Sequence, residues 1–284
     1  KCNLKNAKKL PNLKVNINKW IYFELLETSN LIKKNIEDYR FDEAAKNAYH
    51  FAWHKYCDWY LELSKTILFS DNLKAKNEVK EVSAFVFRQI LIMLHPFIPF
   101  VTEKIWLTNK FDNKNKNFLM LSNWISGKSK KDSDHKQVQQ IIDIISEIRS
   151  FKNELNVSPG SFIDVSINSI KKNNQNFMIN NEIIIKKLGR INNFFKKDQN
   201  KPAASLIISG DLFKIYFDEN VDLNAIKENL LKRQNKYQEE MDKISQRLSN
   251  KGFVQRAPKD IVQQEKTNYS NLKNDIKKIS LTIE

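Results

Sequence analysis

The sequence predicts a mainly α protein: a helical bundle, then a small α/β unit, then a C-terminal antiparallel two-helix coiled coil. Three observations carry that expectation. Only five glycines occur in 284 residues, too few for a protein rich in tight β-hairpins. Apolar residues recur at helical spacing over most of the first half of the chain. Near the C-terminus two long charged segments carry apolar seams in heptad steps, separated by LSNKGFVQRAPKD (248–260).

The bundle is expected over 1–130. Its periodicity runs from about 18 to 124, with breaks at 39–42, at 70–73 and at the two prolines of LHPFIPF. Asp42 is placed to cap a helix reaching about Lys65, because its carboxylate can accept from first-turn amides. Along that helix Ala45, Tyr49, Ala52, Tyr56, Trp59 and Leu63 form a stripe that Ala44, Ala48 and Phe51 widen, so most of its aromatics are expected in the core.

After GKSKKDSDHK, read as a solvated linker, a small α/β unit is expected over 135–217. A helix over about 137–155 would bury Val138, Ile141, Ile142, Ile145 and Ile148 and stop before Pro159-Gly160. SFIDVSI, LIISG and DLFKIYF are three strand candidates, with a second helix over 175–190. The arm is expected over 222–284. Val262, Glu265, Tyr269, Leu272, Ile276, Ile279 and Ile283 step 3,4,3,4,3,4; Leu223, Ile226, Leu230, Gln234, Tyr237, Met241, Ile244 and Leu248 do so with one stutter. Gly252 suits a helix stop and Pro258 a helix start. With nothing left in the chain to cover it, this hairpin is expected to project into solvent, its first helix roughly 42 Å long at about 1.5 Å per residue.

Composition narrows the functional classes. The length suits two or three domains, and 41% hydrophobic residues with 11% aromatics is globular. No apolar run approaches the ~18 residues of a membrane span. Two cysteines, Cys2 and Cys57, make no disulfide framework and suit a reducing cytosol, and no signal peptide opens the chain. The start at Lys1 reads as part of something longer. A net charge of +15 favours a polyanionic partner, nucleic acid first. Abundant Lys and Asn, as an AT-rich genome produces, would raise the charge of any protein, so charge alone leaves both readings open.

The glycines lie too far apart for a phosphate-binding loop or dinucleotide fingerprint. His50, His54 and Cys57 share a helical face, but they sit in a row of aromatics with no accompanying ligand motif. His95 and His135 read as structural or solvated. With no nucleophile elbow, HExxH or paired carboxylates, the residues assign no catalytic group and no metal site, and the chain reads as a binding module.

Four motifs in register resemble one family, the class I valine-tRNA ligases. YRFDEAAKNAYHFAWHKYCDWYLELSK (39–65) is similar to that family's anticodon-binding helical domain, through Phe41, Asp42, Ala44 and Ala45 and then Cys57, Asp58, Trp59, Tyr60 and Glu62. LHPFIPFVTEKIW (94–106) resembles a segment that leucine and isoleucine ligases also carry. IRSFKNELNVSPG (148–160) matches an Arg-x-x-Arg-x-x-x-Asn-x-x-Pro-Gly stretch at Arg149, Asn156, Pro159 and Gly160, with Lys152 at the second Arg. LSNKGFVQRAPKDIVQQEK (248–266) resembles the tip of the family's C-terminal coiled coil.

The resemblance implies the anticodon-binding type of bundle and a larger enzyme that esterifies valine to tRNA(Val) with ATP and magnesium. Its catalytic and editing domains would precede this part, and its His-Ile-Gly-His and Lys-Met-Ser-Lys-Ser signatures are absent from the 284 residues. This chain then takes no cofactor of its own and serves recognition, as a cytoplasmic monomer. At the arm tip Arg247, Lys251, Arg256 and Lys259 would neutralise phosphates while Phe253 and Val254 pack on bases at the tRNA elbow. Alternatively Phe253 folds over Leu248 and Val262 as a cap. In the bundle and linking helix Arg40, Lys46, Lys55, Arg149 and Lys152 are the RNA-contact candidates, Arg149 alternatively tying the second region to the bundle. The competing readings are an isoleucine ligase, a coiled-coil adaptor for protein, and a metalloenzyme on the His50, His54, Cys57 face.

Overall fold

The computed structural model describes residues 7, 9–111, 118–128, 132–198, 204–208, 211–217, 223–250, 252 and 258–283. It is mainly α with one small sheet, and it divides into two units, Lys1–Ile142 and Asp143–Glu284.

The first unit is a bundle. Helices α1 (Asn16–Glu37) and α2 (Phe41–His50) lead into a π-helical segment (Phe51–Tyr60) and α3 (Leu61–Leu68). Helices α4 (Leu73–Leu94) and α5 (Pro99–Thr108) and a 3₁₀ turn (Leu119–Leu121) follow. The breaks fall where the sequence places them. Asp42 does not cap α2: Arg40 holds the cap position without a side-chain bond, and Asp42 lies in the first turn. There its charge still faces the positive end of the helix dipole. The core centres on α1, through Trp20, Ile21, Leu25 and Ile32, facing Phe51, Tyr60 and Leu63 and the α4 residues Val82, Val86 and Met93.

The start of α1 is capped from a distance. Val15 offers no side chain to the free amides, and Glu78 of α4 takes that role, its Oε1 accepting from the amides of Lys14 and Val15 and from Asn18 Nδ2, each at 2.9 Å. Asn18 Oδ1 in turn accepts from the Tyr60 hydroxyl at 2.7 Å, so a buried polar chain joins three helices. With few glycines available, Tyr39 and Lys110 adopt the left-handed conformation at the ends of α1 and α5, with φ of 59° and 53°. Both ends close with paired bonds, Tyr39 N to Ile36 O with Arg40 N to Asn35 O, and Lys110 N to Leu107 O with Phe111 N to Trp106 O.

Helix α6 (Ser133–Glu154) begins in the first unit and ends in the second. It starts four residues earlier than its periodicity predicts, because Asp132 Oδ1 accepts from the His135 amide at 2.8 Å as a cap. The second half of the expected linker is therefore helix. His135 is buried, 2.8 Å from Glu24 Oε1 and against the Phe23 ring, so the solvated reading of it is corrected. Val138, Ile141, Ile142, Ile145 and Ile148 are all buried as expected. Asn156, at φ 54°, closes the helix through Asn156 N to Asn153 O and Val157 N to Lys152 O.

The second unit holds a sheet in the order β2-β1-β4-β3, built from β1 (Ile163–Ser166), β2 (Ile191–Phe195), β3 (Ala204–Ile208) and β4 (Asp211–Phe217). β1 and β2 are parallel, joined through α7 (Lys172–Asn180) and α8 (Glu182–Gly189); the other pairs are antiparallel. The single helix expected over 175–190 is thus two, and β2 is an unpredicted strand.

Helices α9 (Leu223–Ser249) and α10 (Lys259–Ile283) pair along the predicted seams. Leu230, Val262 and Ile279 are buried, while Ile226, Gln234, Tyr237, Met241, Ile244 and Leu248 are half-buried. Inside the seam Gln234 Nε2 donates to Ser280 Oγ at 2.9 Å, a polar rung that fixes register. The pair does not project over its whole length. Its base packs on β3 and on the end of α6, around a cavity of about 140 Å³ lined by Phe151, Leu206, Leu230, Arg233, Tyr237 and Ile279.

Candidate nucleic-acid interface

The π-helical segment decides which face of the second helical stretch meets solvent. Buried positions run Ala44, Ala48, Phe51, Tyr56, Tyr60 and Leu63. The step of five between Phe51 and Tyr56 is the signature of an i→i+5 turn, which rotates the inward face by about one residue. The three-and-four stripe assumed from the sequence is thereby broken. Tyr56 and Tyr60 are buried, but Tyr49 and Trp53 are 59% and 53% exposed, which corrects their assignment to the core.

These two rings lie nearly parallel, 6.4 Å apart with 4° between planes. His54 stands edge-on to Tyr49 at 6.4 Å, and His50 is 4.9 Å from His54. Lys46 is exposed one turn before Tyr49, and Arg40 is exposed at the head of the same helix between the exposed rings of Tyr39 and Phe41. Cations beside exposed π faces suit single-stranded nucleic acid, which supplies phosphates and unstacked bases together. Partial burial holds His50 below the ordinary histidine value, and the charges of His54 and Lys55 add to this. Among the described residues no three His, Cys, Asp or Glu side chains form a metal-binding group; His54 Nδ1 instead lies 3.0 Å from Asp58 Oδ2.

The remaining candidate cations divide by environment. Lys55 leans inward, 3.4 Å from Glu24 Oε2 and over the Trp20 ring. Lys152 is held inside the protein, so any part it has in RNA binding is through its charge and not by direct contact. It is only 2% exposed, and its amine bonds to the backbone oxygens of Ser161 and Pro159, bracing the turn after α6. Burial pushes its ammonium below the usual lysine value, as do the charges of Arg190 and Arg149. Arg149 ties α6 to the end of α8 within the second unit, with Nε and Nη2 at 3.1 and 2.9 Å from Leu188 O.

At the arm, Arg247 is exposed and lies 3.3 Å from Glu265 Oε1 across the helix pair. Lys251, Phe253, Val254 and Arg256, and the side chain of Lys259, lie outside the described residues. No helix among the described residues is long and apolar enough to cross a membrane.

Comparison with known proteins finds two family models along the chain. Residues 18–167 match the family model described as the anticodon-binding domain of tRNA ligase, and residues 222–282 match the valyl tRNA synthetase tRNA binding arm. The valine–tRNA ligase of Pelagibacter ubique is 68% identical over 282 residues, 99% of this chain and 32% of that protein. The valine–tRNA ligases of Bartonella quintana and Brucella suis are 32% and 31% identical, over 98% and 95% of this chain and 31% and 30% of their own lengths. The chain thus spans about a third of the length of the curated relatives it matches. With its first 150 matched residues forming the bundle and the start of the sheet, and its last helices forming the arm, this chain belongs to the anticodon-binding family of tRNA ligases and carries behind it a tRNA-binding arm of the valyl type.

Proposed function

We propose that this chain is the tRNA-recognition portion of a valine-tRNA ligase, a cytoplasmic enzyme that attaches valine to tRNA(Val) using ATP with magnesium. The observation that carries the reading is the succession, in one chain, of an anticodon-binding bundle and a valyl-type arm. The bundle takes the anticodon end of the RNA, with Tyr49 and Trp53 as the stacking surface and Arg40 and Lys46 on adjacent phosphates. The arm takes the tRNA elbow through the tip residues Arg247, Lys251, Phe253, Val254, Arg256 and Lys259. Adenylate formation and editing belong to the rest of the enzyme, of which this chain is one monomeric part.

Binding of the chain to valine, isoleucine and leucine tRNAs across a salt series tests this. The expected result is preference for tRNA(Val), falling steeply with salt, and weakened by the double substitution Phe253→Ala, Arg256→Ala. Equal weak binding to all three RNAs, indifferent to the tip, would overturn it and favour a coiled-coil adaptor.

A further inference from the structure

A second basic surface, in the other unit, joins Arg149 and Lys152, read from the sequence as RNA-contact candidates, to two residues that were not, Arg190 and Phe162. Helix α8 ends where Arg190 adopts the left-handed conformation, φ 55°. Arg190 is exposed, and its guanidinium lies 5.5 Å from the centre of the Phe162 ring, itself 42% exposed. Beside this pair stand two more cations with fixed positions. Arg149 is bonded to the carbonyl of Leu188, two residues before Arg190, and Lys152 to the carbonyl of Ser161, the residue before Phe162. The backbone locks the corner as well, through Ile163 N to Arg190 O at 3.1 Å. Among the described residues no carboxylate pairs with Arg190.

Three cations gathered at one corner repel each other, and the fold holds them there. Burial of Lys152 makes its charge harder to screen, so its field adds to that of Arg190 at the surface. A guanidinium laid on an exposed ring offers a phosphate its donor edge while the ring face remains for a base or ribose. We propose that Arg190 and Phe162, backed by the charges of Arg149 and Lys152, form a separate contact for the RNA backbone, one phosphodiester with its neighbouring nucleotide. The contact rests on the tRNA-binding reading above and extends it to a surface that belongs neither to the bundle nor to the arm tip.

The test is binding of the 284-residue chain to tRNA(Val) over 50–300 mM salt for Arg190→Ala, Arg190→Lys, Phe162→Ala and a control, Lys172→Ala, at an exposed lysine on α7. Arg and Ala carry the same Cβ at φ 55°, so the backbone strain at position 190 is unchanged, and melting curves verify folding of each variant. Arg190→Ala is expected to weaken binding about 3- to 10-fold near 0.1 M salt and to lower the salt slope by roughly 0.7 to 0.9, one phosphate. Arg190→Lys should keep the slope and lose part of the affinity, Phe162→Ala should lose affinity without changing the slope, and the control should match wild type. Variants at 190 and 162 that bind as tightly as wild type, on a chain that still prefers tRNA(Val), would overturn this contact and leave the proposed function standing. A wild-type chain without that preference would overturn both.

Discussion

Replacing Trp53 by leucine separates stacking from charge at the bundle surface. The substitution keeps much of the apolar area that the half-buried ring covers and removes its flat face, so the melting temperature should move little. Base–aromatic stacking contributes about 1–3 kcal/mol per base. Trp53 is 53% exposed, so roughly half its surface can be covered by a base, and the lower part of that range applies, ~1–2 kcal/mol. At about 1.4 kcal/mol per factor of ten this is a loss of roughly 5- to 30-fold. The assay is fluorescence anisotropy of a labelled anticodon stem-loop against the chain, repeated across salt concentrations. Stacking carries no counterion release, so Trp53→Leu should displace the whole line of log affinity against log salt without changing its slope. Lys46→Ala should do the opposite, flattening the slope by nearly one unit. Undiminished binding by a Tyr49→Leu, Trp53→Leu double variant, in a chain that still binds the stem-loop, would refute the assignment of these rings as the platform.

Three further outcomes follow from the geometry. Lys152→Met should destabilise the second unit by about 1–3 kcal/mol, seen in urea unfolding, because the carbonyls of Pro159 and Ser161 lose their buried donor. Lys110→Gly should raise stability by about 1 kcal/mol by removing the Cβ from a left-handed position, measured as a shift in the denaturation midpoint. Burial, with the nearby His54 and Lys55 charges, lowers the His50 pKa, so between that lowered value and about 6.5 the unfolded chain binds more protons than the folded one. Stability should therefore fall as pH drops through this window and level off below it, and His50→Asn should flatten the response in melts taken from pH 7.5 to 5.

How much of this was legible in the sequence depends on how local the cause is. The arm seams and the buried face of α6 follow from spacing within one helix, and they appear where the periodicity puts them. The helix breaks of the bundle are likewise local. Asp132 was readable as a cap, one residue before a serine-started helix, but the charged run around it disguised the start as linker. Strand β2, INNFF, has no alternation and exists because β1 offers it a parallel edge, a partner nearly thirty residues away. Lys152 illustrates the limit for single residues. A lysine standing where the matched family stretch has its second Arg reads as a phosphate contact, yet four methylenes let its amine reach carbonyls seven and nine residues onward, and no spacing rule reveals that.

The π-helical segment is the most consequential feature that spacing could not give, and its neighbours explain why it persists. A widened turn sacrifices regular α-helical bonding, so something in the core must fix it. Tyr56 and Tyr60, the first buried aromatics after the five-residue step, supply that hold. Their rings stack at 5.7 Å, the Tyr56 hydroxyl reaches Ser83 O at 3.0 Å, and the Tyr60 hydroxyl reaches Asn18 and Val79 O. Those hydroxyls are satisfied in this register, and a return to α-helical spacing that displaced them would strand buried polar groups at about 1–3 kcal/mol each. The same register turns Tyr49 and Trp53 outward as a parallel pair. Their exposure is thus enforced from inside the bundle, and a base that stacks on them meets a surface already ordered, sparing the association the cost of arranging it.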